Sequence, residues 1–146
     1  MIGGKGLQNF FSEEELQRLS KIAEGTFWQY IGCEIVEVSL DKVVVSIDIK
    51  PHHLNMVQIL HGGVHASLID SAMGIIATLN KPGHETVTIQ LNVNYLAAIQ
   101  SGKVSVAAEV VHASRKLINT QAKVTDESGR LLAIGSGIFR VIEKGA

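Results

Sequence analysis

The hydrophobic and polar positions of the chain follow two periodicities, which together predict two helices and six strands. Residues 65–79 carry apolar side chains around most of a helical circumference, a pattern typical of a buried helix. Residues 12–25 carry the narrower apolar stripe of a short amphipathic helix, with Ser12 as N-cap and Glu15 completing a capping box. We therefore expect one helix in the core and one on the surface.

Six further segments alternate apolar and polar positions as strands do. EIVEVSL and VVVSIDIK precede the long helix, and TVTIQLNVNYL, KVSVAAEVVHA, LINTQAKVTD and RLLAIGSGIFRVI follow it. Short turns at residues 100–102 and 127–129 join the later strands as an antiparallel run. This order predicts a single α+β domain over residues 1–146, with one antiparallel sheet wrapped around the long central helix and residues 1–30 as an N-terminal extension that holds the short helix.

Composition excludes several functional classes. A net charge of -1 gives no basic surface for nucleic acid. The longest apolar run, residues 62–79, is interrupted by Ser, Asp, Gly and Thr, so we expect no membrane span. No signal peptide is recognisable, and the single cysteine, Cys33, cannot form a disulfide within the chain and is expected to act as a small core residue. A cytoplasmic protein is expected.

The long helix carries a stripe of small or polar residues at helical spacing. Its members are Ser67, Asp70, Ser71, Gly74 and Thr78. An ionised carboxylate without partners is costly to bury, so the stripe should face a ligand or a second subunit. This predicts a dimer with a site at its interface. The alternative is that Asp70 fixes a subunit contact through hydrogen bonds and does no chemistry.

Two glycines stand just before this helix, in the sequence His61-Gly62-Gly63. Glycines allow a ligand to approach the backbone closely, and the first N–H groups of a helix have no partner within it. Such donors suit an anion or a carbonyl oxygen that gains negative charge. The segment is therefore a candidate oxyanion hole.

The remaining histidines give no metal-binding pattern. His61 and His65 flank the glycines without a nearby acid or cysteine pair, so no metal site is expected. The others are expected to be solvated or turn residues, namely His52, His53, His84 and His112.

The run NMVQILHGGVHASLID, followed by TVTIQLNVNYL, resembles the PaaI-type hotdog-fold acyl-CoA thioesterases. Their motif is an Asn, then His-Gly-Gly, then an Asp within the central helix, and Asn55, His61, Gly62 and Asp70 match its spacing. The resemblance extends over residues 32–141. It implies a hotdog fold and hydrolysis of an acyl-CoA thioester to a free acid and CoA.

The resemblance also implies a role for each matching residue. Asp70 is expected as general base or nucleophile, and the Gly62 N–H as the donor to the thioester carbonyl. His61 and Asn55 would hold the oxyanion loop and the attacking water, while Thr88 would complete the site from the facing subunit. The Asp and the Gly of one site would come from different subunits. No cofactor is required, since CoA is part of the substrate.

Several further residues are expected to contact the substrate. Gly63 lies in the oxyanion segment, and Met73 is expected in the acyl pocket together with Met56, Val57 and residues of a partner subunit. The turn Ser114-Arg115-Lys116 is a candidate to meet the phosphates of CoA, or is simply a solvated turn. The protein is expected to form a homodimer or a tetramer built from two dimers.

Other functions on the same scaffold remain open at this point. A hotdog dehydratase or hydratase usually has a His-Phe-Pro segment, and this chain has none. A non-catalytic acyl-CoA-binding protein would not need Asp70, and for a purely structural oligomerisation domain the motif would be a coincidence. The sequence does not separate an aryl from an aliphatic acyl group.

Overall fold

The computed structural model describes residues 10–143, and the ends of the chain lie outside that range. The N-terminal extension forms two helices, α1 (Glu13–Ala23) and α2 (Phe27–Ile31). The predicted capping box at the start of α1 is confirmed, because Ser12 Oγ accepts a hydrogen bond from Glu15 N–H and the Glu15 carboxylate accepts one from Ser12 N–H.

Six strands form one antiparallel sheet, as the alternation predicts. They are β1 (Glu34–Val38), β2 (Val43–Asp48), β3 (Glu85–Tyr95), β4 (Lys103–Ala113), β5 (Leu117–Asp126) and β6 (Leu131–Ile142). Their order across the sheet is β1-β2-β4-β5-β6-β3. The strand β3 is third along the chain but forms one edge of the sheet, next to β6. The strand β3 pairs with β6 along its whole length.

The long helix α3 (Gly62–Leu79) packs against the sheet and supplies much of the core. It begins three residues before the predicted start, because His61 has extended backbone angles and acts as the N-cap. By length and composition alone α3 could cross a membrane, but it is the core helix here. Leu68, Ile69 and Ile76 have no exposed surface.

A β-bulge in β3 changes which side chains face α3. Thr88 is opposite Phe139 and Gln90 is opposite Ile138, so Ile89 is one extra residue in the strand. Thr88 before the bulge and Tyr95 after it both reach α3, although they are seven positions apart, an odd number, along the chain. Regular alternation places these two residues on opposite faces, and the bulge restores them to the same face.

The outer edge of β3 is exposed and apolar. The strand has β6 on one side and no neighbour on the other within residues 10–143. Large hydrophobic side chains are exposed along it and just after it: Val87, Ile89, Leu91, Tyr95 and Leu96. A long apolar edge strand of this kind is a template for pairing with another chain.

His53 lies in a single turn of 3-10 helix (Pro51–His53), which agrees with the expected turn position, but it is buried and not solvated. Its Nδ1 accepts a hydrogen bond from Lys50 N–H at 2.9 Å, so its Nε2–H donates to the Ile31 carbonyl, also at 2.9 Å. Burial lowers the pKa of His53, with a smaller contribution from the neighbouring His52. The neutral ring thus ties the end of α2 to the segment that leads into α3.

Cys33 lies in the core, as expected. Burial raises the pKa of its thiol to about 12. A thiol in that environment is a poor nucleophile, so Cys33 has a packing role.

Candidate active site

Asp70 lies in the middle of α3 with its side chain held by β3. Thr88 Oγ1 donates a hydrogen bond to Asp70 Oδ1 at 2.8 Å. Both residues belong to the same chain, which corrects the expectation that Thr88 joins Asp70 from the facing subunit. The hydrogen bond fixes the orientation of the carboxylate and leaves Oδ2 available to a reactant.

Asp70 opens into a cleft of about 490 Å³. Four of the five residues in the polar stripe predicted on α3 form one wall, since Ser71, Gly74 and Thr78 line the cleft together with Asp70. The fifth, Ser67, does not line it and donates its hydroxyl hydrogen to the Gly63 carbonyl. The stripe therefore faces a ligand-sized space rather than ordinary core.

Met73 has no exposed surface and lies against the sheet, which corrects the expectation that it lines the acyl pocket. Its Cε lies 2.6 Å from the point that a Cβ on Gly137 would occupy, so it fills the space left by that glycine. The next residue, Gly74, lines the cleft instead. One residue along a helix turns a side chain by about 100°, which is enough to move it from the cleft to the core.

The first turn of α3 forms a second candidate element. His61 Nδ1 accepts a hydrogen bond from Gly63 N–H at 2.8 Å. The Gly63 N–H is therefore already bonded to the N-cap side chain and is not a free donor for a ligand. The Gly62 N–H has no acceptor among the residues that the structure describes. Gly62 is therefore the one of the two glycines whose N–H is available to a carbonyl oxygen.

Tyr95 holds the carbonyl side of Gly62, a contact that the sequence did not predict. Its hydroxyl donates to Gly62 O at 2.7 Å. A Cβ on Gly62 would lie 3.1 Å from the Tyr95 ring, so the absence of a side chain allows this close approach. Tyr95 lies in the segment TVTIQLNVNYL that carries the family resemblance, but the sequence gives it no role.

Asn55 organises the loop that precedes the helix. Its Oδ1 accepts hydrogen bonds from the N–H groups of Val57 and Ile59, at 3.1 and 3.2 Å. Asn55 also lines, with Gly62, a second cleft of about 350 Å³. The neighbouring Met56 side chain is 99% exposed, so it covers no cleft within a single chain.

His65 is a further residue that sequence reasoning missed. It is buried beneath Gly62, with its ring edge-on to Tyr95 at a centroid distance of 5.7 Å. Burial lowers the pKa of His65, and its Nδ1 has no hydrogen-bond partner within the described residues. A neutral His65 therefore packs under the Gly62 turn together with Tyr95.

Gly62 and Asp70 do not meet within one chain. They are on the same helix, and eight residues at 1.5 Å per residue separate them by about 12 Å along its axis. A carbonyl group polarised at Gly62 is thus far outside the roughly 3 Å reach of a group attacking from Asp70. One chain carries both elements, but each faces a separate cleft.

A basic cleft of about 480 Å³ lies near the turn between β4 and β5. Arg115 and Lys116 line it, and the structure adds Lys81, His84 and Arg140, which are distant in sequence. The Ser114 hydroxyl faces the turn itself, where it bonds to the backbone of Leu117, and does not line this cleft. Glu143 also lines the cleft, but the four Lys and Arg side chains outnumber this carboxylate, a balance that suits phosphate groups.

Comparison with known proteins agrees with this geometry. Residues 57–133 match the family model described as the thioesterase superfamily. A 1,4-dihydroxy-2-naphthoyl-CoA hydrolase from Listeria monocytogenes is 33% identical over 115 residues, covering 78% of this chain and 94% of the relative.

Two solved structures show the same fold. A thioesterase from Haemophilus influenzae superposes with a TM-score of 0.84 at 22% identity, covering 90% of this chain and 92% of the other. A mutant of the phenylacetic acid degradation protein PaaI from Thermus thermophilus superposes with a TM-score of 0.73 at 24% identity, covering 78% and 96%.

This chain belongs to the thioesterase superfamily, and it has the hotdog fold. It is a thioester hydrolase. The fold class predicted from the sequence is confirmed, with an antiparallel sheet packed around one long helix.

Proposed function

We propose that the protein hydrolyses acyl-CoA thioesters at sites shared between two copies of the chain. The observation that carries this proposal is the pairing of Asp70 with Thr88 in a cleft, while the free Gly62 N–H lies about 12 Å away along the same helix. A second copy that brings its own Gly62 to this Asp70 would complete one reactive centre.

The exposed apolar edge of β3 supports assembly into a dimer. Val87, Ile89 and Leu91 are exposed on a strand that has β6 as its single neighbour among the described residues. Pairing of two such edges would bury these side chains and satisfy the open backbone groups. Met56 and Val57, which are exposed on the loop before α3, would be covered in the same way.

The chemistry follows from a carboxylate and a backbone donor. Asp70 acts as a base, taking a proton from water while the water oxygen bonds to the thioester carbon, or as a nucleophile that bonds to that carbon itself. The Gly62 N–H of the other copy stabilises the oxyanion, by about 3 kcal/mol for a donor of this kind. The C–S bond then breaks, and the CoA sulfur leaves and takes up a proton. On the nucleophilic path the acyl group is then bonded to Asp70 as a mixed anhydride, and water hydrolyses it to release the free acid and restore the carboxylate.

The surrounding residues hold these two groups in place. Thr88 orients the carboxylate, and His61 shapes the first turn of α3 by accepting from Gly63 N–H. Asn55 orders the loop before that turn. We assign the phosphates of CoA to the basic cleft of Arg115 and Lys116, whose charges complement them.

Release of free thiol from acyl-CoA tests the proposal, with wild type beside Asp70→Asn. We expect wild type to release CoA and Asp70→Asn to lose at least about 100-fold in kcat, because the amide neither accepts the proton nor attacks carbon. Asn has nearly the shape of Asp and can still accept the Thr88 hydrogen bond, so the fold and the local geometry are retained. An unchanged kcat in the variant would overturn the role of Asp70, and no release from any acyl-CoA would overturn the function.

A further inference from the structure

The N-terminal extension forms the outer wall of the Asp70 cleft. Phe11 and Leu19 from the α1 region and Trp28 from α2 line it, opposite the polar stripe of α3. All three side chains lie outside the segment that matches the family model, which begins at residue 57. The wall is therefore supplied by the N-terminal extension and not by the segment that the family model matches.

The lining of the cleft is mainly hydrocarbon. Ile75 and Phe139 contribute to it together with the three side chains of the extension. The hydroxyls of Thr78 and Thr86 bond to each other at 2.8 Å, which uses one of their two O–H donors. Apolar side chains outnumber the hydroxyls in the lining, so the cleft favours a hydrocarbon acyl group.

Gly74 makes the space that the acyl group requires. It lies one helical turn beyond Asp70 on the same face of α3, where any side chain would project into the cleft. A Cβ at this position would lie 3.4 Å from Phe139 Cε1, an ordinary contact, so packing does not require glycine here. Glycine in a helix interior lowers the stability of the helix by about 1 kcal/mol relative to alanine. This cost indicates that the space left by the missing side chain is needed for a bound ligand.

We infer that this cleft takes a hydrocarbon acyl group, and that Trp28, as part of its outer wall, limits the longest chain accepted. The inference rests on the proposed thioesterase function, because it places the acyl carbon chain beyond the thioester at Asp70. It also distinguishes this chain from its Listeria relative, whose name specifies a dihydroxylated aryl group.

The chain contains a built-in reporter for this inference, because Trp28 is its single tryptophan. Asp70→Asn should hold octanoyl-CoA without hydrolysing it, and the acyl chain should shift Trp28 emission to shorter wavelength by replacing water at the indole. Free CoA at the same concentration should leave the emission unchanged. Emission that does not respond to octanoyl-CoA at concentrations well above the wild-type KM would overturn the inference.

Chain-length profiles give a second and independent test. We expect Trp28→Ala to raise the ratio of kcat/KM for palmitoyl-CoA over octanoyl-CoA by at least about tenfold, and Gly74→Ala to lower it, since each methylene in an apolar pocket is worth roughly tenfold or more. Phe27→Ala is the matched control, because Phe27 precedes Trp28 in α2 but is 61% exposed and does not line the cleft. Its profile should equal that of wild type.

The outcomes separate the two proposals. Hydrolysis by wild type with the same profile in Trp28→Ala and Gly74→Ala would overturn the inference and leave the thioesterase function standing. A Trp28 response to octanoyl-CoA in a wild type that hydrolyses no thioester would support the acyl cleft and overturn the function. A preference for hydroxyaryl-CoA over alkyl-CoA would overturn the substrate class. Gly74→Ala keeps the test decisive if Trp28→Ala does not fold, since alanine is favoured in a helix.

Discussion

Gly62 has two roles, one in packing and one proposed in catalysis, and substitutions can separate them. Its missing side chain makes room for Tyr95, whose hydroxyl bonds to the Gly62 carbonyl, and its N–H is the proposed oxyanion donor. The residue stands at the first position of α3, where proline is well tolerated because that N–H makes no bond within the helix. His61 before it has φ -62° and ψ 136°, the extended conformation that a residue preceding proline prefers.

We predict that Gly62→Pro lowers kcat by about 100-fold to 1000-fold relative to Gly62→Ala, the cost of losing one oxyanion donor. Both variants place a Cβ against Tyr95, so that contact cancels in the comparison, while proline alone removes the N–H. Steady-state kinetics on one acyl-CoA measures the ratio. Equal kcat values in the two folded variants would show that the Gly62 N–H does not stabilise the transition state.

At the scale of the element, β3 combines an open edge with a face that contacts the proposed catalytic residues. The bulge at Ile89 lets Thr88 reach Asp70 and Tyr95 reach Gly62 from the same strand. The bulged residue itself is exposed, as is most of the strand. The strand thus links the geometry of the active site to the surface proposed for subunit pairing.

We predict that Ile89→Lys produces a monomer with little activity, because a charge on the apolar edge opposes its burial in a dimer. Leu40→Lys is a close control, since Leu40 is 56% exposed and Ile89 is 54% exposed, and Leu40 lies in the turn between β1 and β2, next to the other edge of the sheet. Sedimentation and thiol release measure the two effects. An Ile89→Lys protein that remains assembled and active would place the subunit contact elsewhere.

The elements were predictable from the sequence to a greater extent than the site. Strands β4 and β5 have the predicted bounds, because turn residues mark the ends of both strands. The bulge was not predictable, since Ile89 continues the apolar alternation and only pairing with β6 shows it to be an extra residue. The assignment of Met73 to the pocket failed for a similar reason, as apolar character alone does not say which side of α3 faces the cleft.

Contacts between segments that are distant along the chain could not be predicted from the sequence either. Lys81 and Arg140 join Arg115 in the basic cleft because β6 ends beside the β4–β5 turn, which depends on the strand order. His53 appears in sequence as a loop residue, and its burial follows from its bond to the Ile31 carbonyl, 22 residues earlier. Such partners are defined by the tertiary fold and leave no local pattern.

At the scale of the whole molecule, shared sites predict complementation between two inactive variants. We expect hybrids of Asp70→Asn with Gly62→Pro to recover about half of the wild-type rate per dimer, because one of the two sites then combines the intact Asp70 of one chain with the intact Gly62 of the other. Co-expression with two affinity tags isolates the hybrids for thiol-release assays. Hybrids as inactive as their parents would mean that each chain works alone.

The distance between Gly62 and Asp70 on one rigid helix has a consequence for how the rate depends on protein concentration. A helix does not fold back on itself, so no rearrangement within α3 can bring the two groups together. If each centre is built from two chains, dilution below the dissociation constant of the dimer abolishes catalysis without unfolding any chain. In that range the rate becomes second order in protein, so the concentration of the protein itself determines whether it is active.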